Sequence, residues 1–193
     1  MTPQPREAVP LLEPSDRASL RAWLEANHAT SGGVRLAIGK KGGRITTLTY
    51  EEAVEEALCF GWIDSTAGRL DADRYTILFT RRKPGSGWSR SNKERVERLV
   101  AQERMASAGL LAVEAAKSSG SWCALDDAED LVVPPDLSEA LSGDPLAQAG
   151  FEAASESARK TALHWIAGAK RRATREKRIA EVVRRAVEGV RLF

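Results

Sequence analysis

The sequence predicts an α+β fold: a small, mostly antiparallel β-sheet flanked by helices, followed by a helical C-terminal module. Two observations favour this class. In the first two-thirds of the chain, strand-type alternation separates helix-type segments, two of which open with capping boxes. In the last third, apolar residues recur only at helical spacing. The composition, 42% hydrophobic and 29% charged over 193 residues, is that of an ordinary folded protein.

The N-terminal third predicts a helix and then a hairpin. A helix over 15–27 follows from a capping segment and from apolar residues on one face: Leu20, Trp23 and Leu24. A strand follows, because apolar residues alternate with others at Val34, Leu36 and Ile38. The glycine-rich segment 39–43 is typical of a turn, and 45–48 is predicted to be the returning strand.

The next segment opens with a capping box, Thr49-Tyr-Glu-Glu52, in which the Thr hydroxyl and the Glu carboxylate satisfy free helix N–H groups. The inward-facing residues of this second helix share helical spacing: Ala53, Val54, Ala57 and Leu58. Gly61 ends the helix, and a short strand is expected from Ile63. The alternation over 74–80 predicts a longer strand that is buried mainly on one face.

A second capping box, Ser91-Asn-Lys-Glu94, predicts a third helix, and a fourth is expected over 108–117. Helices are then expected to start at Asp136 and Asp144. The domain organisation that follows has four parts: a flexible lead at 1–14, an α+β core domain at 15–122, a linker at 123–135 and the helical module at 136–193.

Several classes of function are excluded by what the sequence lacks. No apolar run reaches the roughly 18–20 residues that cross a bilayer, and the first residues do not have the pattern of a signal peptide. We therefore expect a cytoplasmic protein without a membrane partner. The two cysteines and two histidines show no metal-ligand spacing, so neither a metal site nor a cofactor is expected.

Two motifs predict a binding cleft. The first is Gly61-Trp-Ile-Asp64, and the second is Lys83-Pro-Gly-Ser-Gly-Trp-Ser89. Asp64 and Arg82 would anchor a ligand, while Trp62 and Trp88 would form apolar walls that stack a planar group or hold a cation. The full set of predicted ligand-binding residues is Trp62, Asp64, Arg81, Arg82, Trp88, Ser89 and Asn92.

Each of these residues also has a structural interpretation. Asp64 could pair with an arginine or cap the following turn, and it could instead act as a general acid or base. Both tryptophans could simply pack in the core. Ser89 and Asn92 could serve either the site or a turn. Ser89 and Ser91 precede a helix, which one of them could cap, and the free N–H groups at this helix start would suit an anion.

The segment Leu48-Thr-Tyr-Glu-Glu-Ala-Val-Glu-Glu-Ala-Leu-Cys-Phe-Gly-Trp-Ile-Asp-Ser65 resembles the YdeI/OmpD-associated, or bacteriocin-protection, proteins. The resemblance continues through Trp88-Ser-Arg-Ser-Asn-Lys93 and Trp165-Ile-Ala-Gly-Ala-Lys170, and it spans roughly residues 20–188. Arg81 departs from it, because the family usually has proline there, so Arg82 is the better match to the family's arginine. The resemblance implies a role in tolerance of antimicrobial peptides or related compounds, and it brings no catalytic mechanism.

Charge is distributed unevenly along the chain. The net charge is +2, but residues 159–193 contain eleven Lys or Arg and three Glu, a net charge of +8. This basic segment could pair with the acidic remainder or bind an anionic partner. Nucleic acid is the third-ranked alternative, and it would contact Arg171, Arg172, Arg175 and Arg178.

The leading functional hypothesis is a non-catalytic binding or protective protein whose ligand is a small molecule or an antimicrobial peptide. The first alternative is an enzyme that uses Asp64 as acid or base on a small molecule.

Overall fold

The computed structural model describes residues 9–40 and 48–192, and over these residues it confirms the α+β class. The chain divides into two compact units. The first contains the described residues up to Ser86 together with Ser91–Ser119, and it holds the β-sheet. The second contains Gly87–Arg90 and the residues from Gly120 onward, and its described elements are helices.

Among the described residues, the sheet has four strands in the order β1-β2-β4-β3. Their bounds are Leu11–Leu12 for β1, Val34–Gly39 for β2, Trp62–Arg69 for β3 and Arg74–Arg81 for β4. β1 pairs with β2 in parallel, and the β2–β4 and β3–β4 pairs are antiparallel, so the sheet is mixed but mostly antiparallel. The β3–β4 register shifts between Asp64 and Ala67.

In the described part of the first unit, four helices accompany this sheet: α1 at Arg17–Asn27, α2 at Tyr50–Cys59, α3 at Arg90–Ala101 and α4 at Ser107–Ser118. The predicted capping box of α2 is present, since Thr49 accepts from the backbone of Glu52 and the Glu52 carboxylate accepts from the backbone of Thr49. Asp16 and Ser19 form an equivalent box on α1. α3 begins at Arg90, one residue before the predicted cap, so Ser91 lies within its first turn.

The core of the first unit lies where α2 faces the sheet. Every residue of α2 from Ala53 to Cys59 is buried, including Glu55 and Glu56. The sheet contributes apolar residues from three strands: Leu36, Ile38, Trp62, Ile77 and Phe79. α1 adds Leu20 and Leu24, both almost fully buried.

The second unit contains five helices among its described residues: α5 at Asp126–Glu129, α6 at Pro135–Ser142, α7 at Pro145–Ala153, α8 at Glu156–Ala167 and α9 at Arg172–Val187. α7 starts as predicted, with Asp144 as N-cap and Pro145 at the first helical position. The apolar stripes pack together in one core that includes Leu137, Phe151, Leu163, Ile166 and Val182.

Three local features differ from the sequence expectations. β1 lies inside the segment predicted as a flexible lead. It was not predicted, because two residues are too few to show strand periodicity. β3 extends to Arg69 and is longer than predicted. Its exposed second half carries polar and small residues without alternation, so the sequence pattern did not indicate a strand there. α5 lies in the predicted linker and buries Ala128. The returning strand expected at 45–48 falls, except for Leu48, outside the described residues.

None of the helices in the described ranges is long and apolar enough to span a membrane.

Candidate functional site

Both tryptophans of the predicted site are packed in the interior. Trp62 is fully buried, meets Trp23 edge-on at a centroid distance of 6.0 Å, and donates its Nε1–H to the carbonyl oxygen of His28 at 3.2 Å. Trp88 belongs to the second unit, is 2% exposed, and lies 5.0 Å from the ring of Trp122. These contacts correspond to the core-packing interpretation of both residues. Ser89 also belongs to the second unit.

Asp64 is half-buried near the start of β3, opposite Phe79 of β4. The phenol of Tyr50, in the first turn of α2, donates a hydrogen bond to Oδ2 of Asp64 at 2.8 Å. Burial first, and the bond to Asp64 second, raise the pKa of Tyr50 to about 12. The hydroxyl therefore stays protonated at neutral pH and fixes the direction of the Asp64 carboxylate.

The two arginines at the end of β4 have different environments. Arg81 is exposed and donates from Nη1 to the carbonyl oxygen of Ala29 at 3.1 Å, which ties the strand to the loop after α1. Arg82 is half-buried, and its backbone N–H donates to Gly61 at 3.0 Å. Burial lowers the pKa of Arg82 to about 10, while the charge of Asp64 acts in the opposite direction. A desolvated guanidinium and a half-buried carboxylate thus interact at this point.

A second arginine approaches from α3. Arg95 forms a bidentate ion pair with Glu51, with Nε–Oε1 at 2.8 Å and Nη2–Oε2 at 2.7 Å. This pair raises the pKa of Arg95 and lowers the pKa of Glu51, and the charge of Asp64 also raises the pKa of Arg95. Asn92, which is 8% exposed, accepts from Nη1 of Arg95 through Oδ1 at 3.0 Å.

These polar residues form one group, which we call the Asp64 cluster: Tyr50, Glu51, Asp64, Arg82, Asn92 and Arg95. Three predicted site residues, Asp64, Arg82 and Asn92, belong to it, whereas Tyr50, Glu51 and Arg95 were missed. The sequence carries one signal for two of the missed residues: Tyr50 and Glu51 stand in the first turn of a capped helix. Their convergence with Arg95 is visible only in the structure. The cluster can offer a ligand both hydrogen-bond acceptors and donors.

The basic residues of α9 are largely engaged within the second unit. Arg172 pairs with Glu176 at 2.7 Å, and Arg175 holds Asp136 through two bonds of 2.5 and 2.8 Å. Arg178 lies over the ring of Trp165 at 5.1 Å. Arg171 is exposed at the N-cap. The Arg175–Asp136 pair agrees with the interpretation of the basic segment as a face that pairs with acidic residues elsewhere in the chain, whereas the Arg172–Glu176 pair lies inside the segment.

His164 lies on α8 with Nε2 3.4 Å from the carboxylate of Glu129. Within the described ranges, no group of three or more His, Cys, Asp or Glu side chains is placed to hold a metal ion.

Comparison with known proteins gives two family matches. Residues 12–112 match the family described as "Domain of unknown function (DUF8412)", and this match contains most of the Asp64 cluster's scaffold, from β1 to α4. Residues 130–189 match the family described as "Bacteriocin-protection, YdeI or OmpD-Associated". The second match confirms the resemblance for the C-terminal segment. No curated protein and no solved structure matches the chain.

Proposed function

The chain belongs to the family described as a domain of unknown function, DUF8412, and we propose that it is a non-catalytic binding protein that gives tolerance to a bacteriocin or another antimicrobial compound. The Asp64 cluster is the proposed binding site. The bacteriocin-protection description of the family matched by residues 130–189 supports this kind of role. The chemistry of the Asp64 cluster supports the ligand class that we propose.

One observation carries the proposal: the hydrogen bond of 2.8 Å from Tyr50 to Asp64. It holds a half-buried carboxylate in one orientation before any ligand arrives, so little side-chain freedom is lost on binding. A buried charge is retained only where partners compensate it, and Asp64 has a phenol and two guanidinium groups around it. A ligand that presents a hydrogen-bond donor would meet this fixed acceptor.

The neighbouring groups extend the recognition. Tyr50 is 39% exposed, so its ring offers an apolar edge beside the carboxylate. Asn92 and Arg95 add an amide and a guanidinium held in place by the pair with Glu51. This combination suits a compound that has several polar groups around a flat or apolar body, such as a small antimicrobial molecule or the turn of an antimicrobial peptide.

The test compares protection and binding in matched variants. Cells that express the wild type, Asp64→Ala or Asp71→Ala would be challenged with a panel of bacteriocins and antimicrobial compounds. Asp71 is the control because it is also an aspartate paired with an arginine on this sheet, Arg74, but at the β3–β4 turn. We expect Asp64→Ala to abolish protection and Asp71→Ala to retain it.

Purified protein supplies the second measurement. A compound against which the protein protects should raise the melting temperature of the wild type and of Asp71→Ala, and not that of Asp64→Ala, because only native-state binding stabilises the fold. Protection by a folded Asp64→Ala protein at the wild-type level would refute the proposed site. Recovery of a chemically altered compound would instead favour the enzyme alternative, in which Asp64→Asn would bind the compound and fail to convert it.

A further inference from the structure

The charges of the Asp64 cluster balance one another. Glu51 and Asp64 are negative, and Arg82 and Arg95 are positive. Both guanidinium groups are charged at neutral pH, because the pKa of Arg82 is still about 10 and the pair with Glu51 raises the pKa of Arg95. A charged ligand would lose its own water in this site and find no uncompensated partner. The balance therefore favours a ligand without net charge.

One oxygen of the Asp64 carboxylate is open to a ligand. Oδ2 accepts the hydrogen bond from Tyr50 at 2.8 Å, and no group of the described residues donates to Oδ1. An ionised carboxylate can only accept hydrogen bonds, so Oδ1 requires a donor from the ligand. The bond from Tyr50 also fixes the plane of the carboxylate, so Oδ1 has a set direction before a ligand binds.

Arg95 supplies the complementary donors. A guanidinium has five N–H donors, and three of those of Arg95 are used in the described part of the chain: two by Glu51 and one by Asn92. The two that are left lie on its Nη atoms. The side chain is 17% exposed and is held in place by these three bonds. Because Glu51 already neutralises its charge, Arg95 can donate to a neutral oxygen without leaving a charge unpaired.

We propose that the Asp64 cluster selects a neutral ligand that carries a carboxamide on a flat ring, an inference that rests on the proposed function because it assigns the ligand class of the same site. The amide N–H donates to Oδ1 of Asp64, and the amide oxygen accepts from Arg95. These partners lie on β3 and α3, so the ligand needs its donor and its acceptor on different atoms. A carboxamide has both in one plane, and its ring lies against Tyr50, which is 39% exposed.

The test uses three probes of nearly equal size and shape and of different charge at pH 7: benzamide, benzoate and benzamidine. Each is titrated into the full-length protein and followed by protein NMR. Benzamide should bind with a dissociation constant of about 1 mM, as expected for so small a ligand. Both charged probes should bind at least about fivefold more weakly, because each leaves one of the two polar contacts unmade.

Charge variants of the cluster should change this order of affinities in opposite directions. Asp64→Asn removes a negative charge and keeps the shape of the side chain, so benzoate should bind it more tightly than benzamide does. Arg95→Gln removes a positive charge, so benzamidine should become the tightest probe. Asp71→Asn is the matched control: it removes an arginine-paired carboxylate at the β3–β4 turn and should keep the wild-type order.

The inference is overturned if benzamide does not bind, if either charged probe binds the wild type as tightly, or if folded Asp64→Asn keeps the wild-type order. Each of these results leaves the proposed function to its own test, since protection that depends on Asp64 can involve another class of ligand. Conversely, benzamide bound at the cluster of a protein that gives no protection would support the ligand class and refute the tolerance role.

Discussion

The ion pairs of the two units differ in how deeply they are buried. In the first unit, three arginines converge on Glu56, a carboxylate with no solvent exposure: Arg17 at 2.6 Å, Arg21 at 3.0 Å, and Arg104. In the second unit, Glu181 accepts from Arg184 and Arg185, each at 2.7 Å, on a side of α9 that solvent reaches. The number of charge-assisted hydrogen bonds is similar, and the depth of burial differs.

Depth of burial determines how much each set of ion pairs contributes to the stability of the fold. Water and salt already stabilise an exposed carboxylate, so its pairs add little to folding. A buried carboxylate has lost its water, and its ion pairs replace that hydration. The Glu56 pairs also join α1, α2 and the segment after α3, whereas the Glu181 pairs lie within one helix. The first arrangement should therefore hold the fold together, and the second should affect mainly local charge.

The largest expected effect comes from Glu56→Gln. It leaves three guanidinium groups without their common counterion, and breaking a buried pair in this way costs about 3–5 kcal/mol. We expect a loss near 3 kcal/mol in the free energy of unfolding. The lower end applies because the three arginine side chains are 25–31% exposed and water screens part of their charge. Urea unfolding followed by circular dichroism measures this loss. A change below 1 kcal/mol would contradict the prediction that the buried Glu56 pairs stabilise the fold more than the exposed Glu181 pairs.

The next effect tests whether the contrast extends to packing. A Cβ on Gly109 of α4 would lie 2.3 Å from the carbonyl oxygen of Cys59, and one on Gly150 of α7 would lie 2.1 Å from that of Ala186. The helix backbones would have to move apart, so Gly109→Ala and Gly150→Ala should each cost about 1–3 kcal/mol despite the better helix propensity of alanine.

Gly143→Ala is the control for both substitutions, because its Cβ would make only ordinary contacts of 3.6 and 3.8 Å. It should be neutral or slightly stabilising in thermal unfolding. Equal losses at Gly109 and Gly150 would show that the two cores are equally tight and that only their electrostatics differ. A stable Gly150→Ala protein would instead indicate a looser second unit.

The Asp64 cluster is intermediate in burial, and Tyr50 reports on it. Its pKa is about 12, raised first by burial and then by the bond to Asp64. Because the folded pKa lies above the ordinary value near 10, the stability linked to Tyr50 is complete below about pH 10 and is lost as the pH rises through about 12. Asp64→Asn should lower the pKa of Tyr50 toward 10 without reaching it, since burial remains.

Ultraviolet titration can measure this shift because the chain has two tyrosines. Tyr75 is the internal control: burial alone raises its pKa, so Asp64→Asn should leave its titration unchanged. Tyr50→Phe should cost about 1 kcal/mol of stability, since one hydrogen bond to a partly exposed group is removed. A Tyr50 pKa that does not respond to Asp64→Asn would show that the hydrogen bond is absent in solution.

Sequence patterns predicted the fold class and most helices. They failed for short elements such as β1 and α5, and for charged residues whose burial depends on distant partners. The stripe Ala53, Val54, Ala57 and Leu58 was identified by its spacing, and all four residues are buried. Glu56 was missed because a glutamate in an amphipathic helix indicates a solvent face. Its burial depends on arginines 35–48 residues away, whose convergence is a property of the tertiary fold.

The candidate site was predicted in part for a related reason. Asp64, Arg82 and Asn92 stand in recognisable motifs, so their residue types attracted attention. Tyr50 stands in the first turn of α2 and Arg95 in the second turn of α3, neither of them in a recognisable motif, and only the tertiary fold brings them to Asp64. The tryptophans of the same motifs are buried by packing, which motif position does not indicate.

The smallest expected effect is at Glu181, the exposed counterpart of Glu56. Hydrogen bonds from Arg184 and Arg185 hold its pKa at about 2. The folded value lies below the ordinary one, so any linked stability is present above about pH 4.3 and is lost as the pH falls through about 2. Salt screens such exposed pairs, so Glu181→Gln should leave urea unfolding at pH 7 unchanged while Glu56→Gln does not. An NMR titration in high salt should move the pKa of Glu181 back toward its ordinary value; a pKa that ignores salt would mean that α9 shields its ion pairs as well as the first unit shields Glu56.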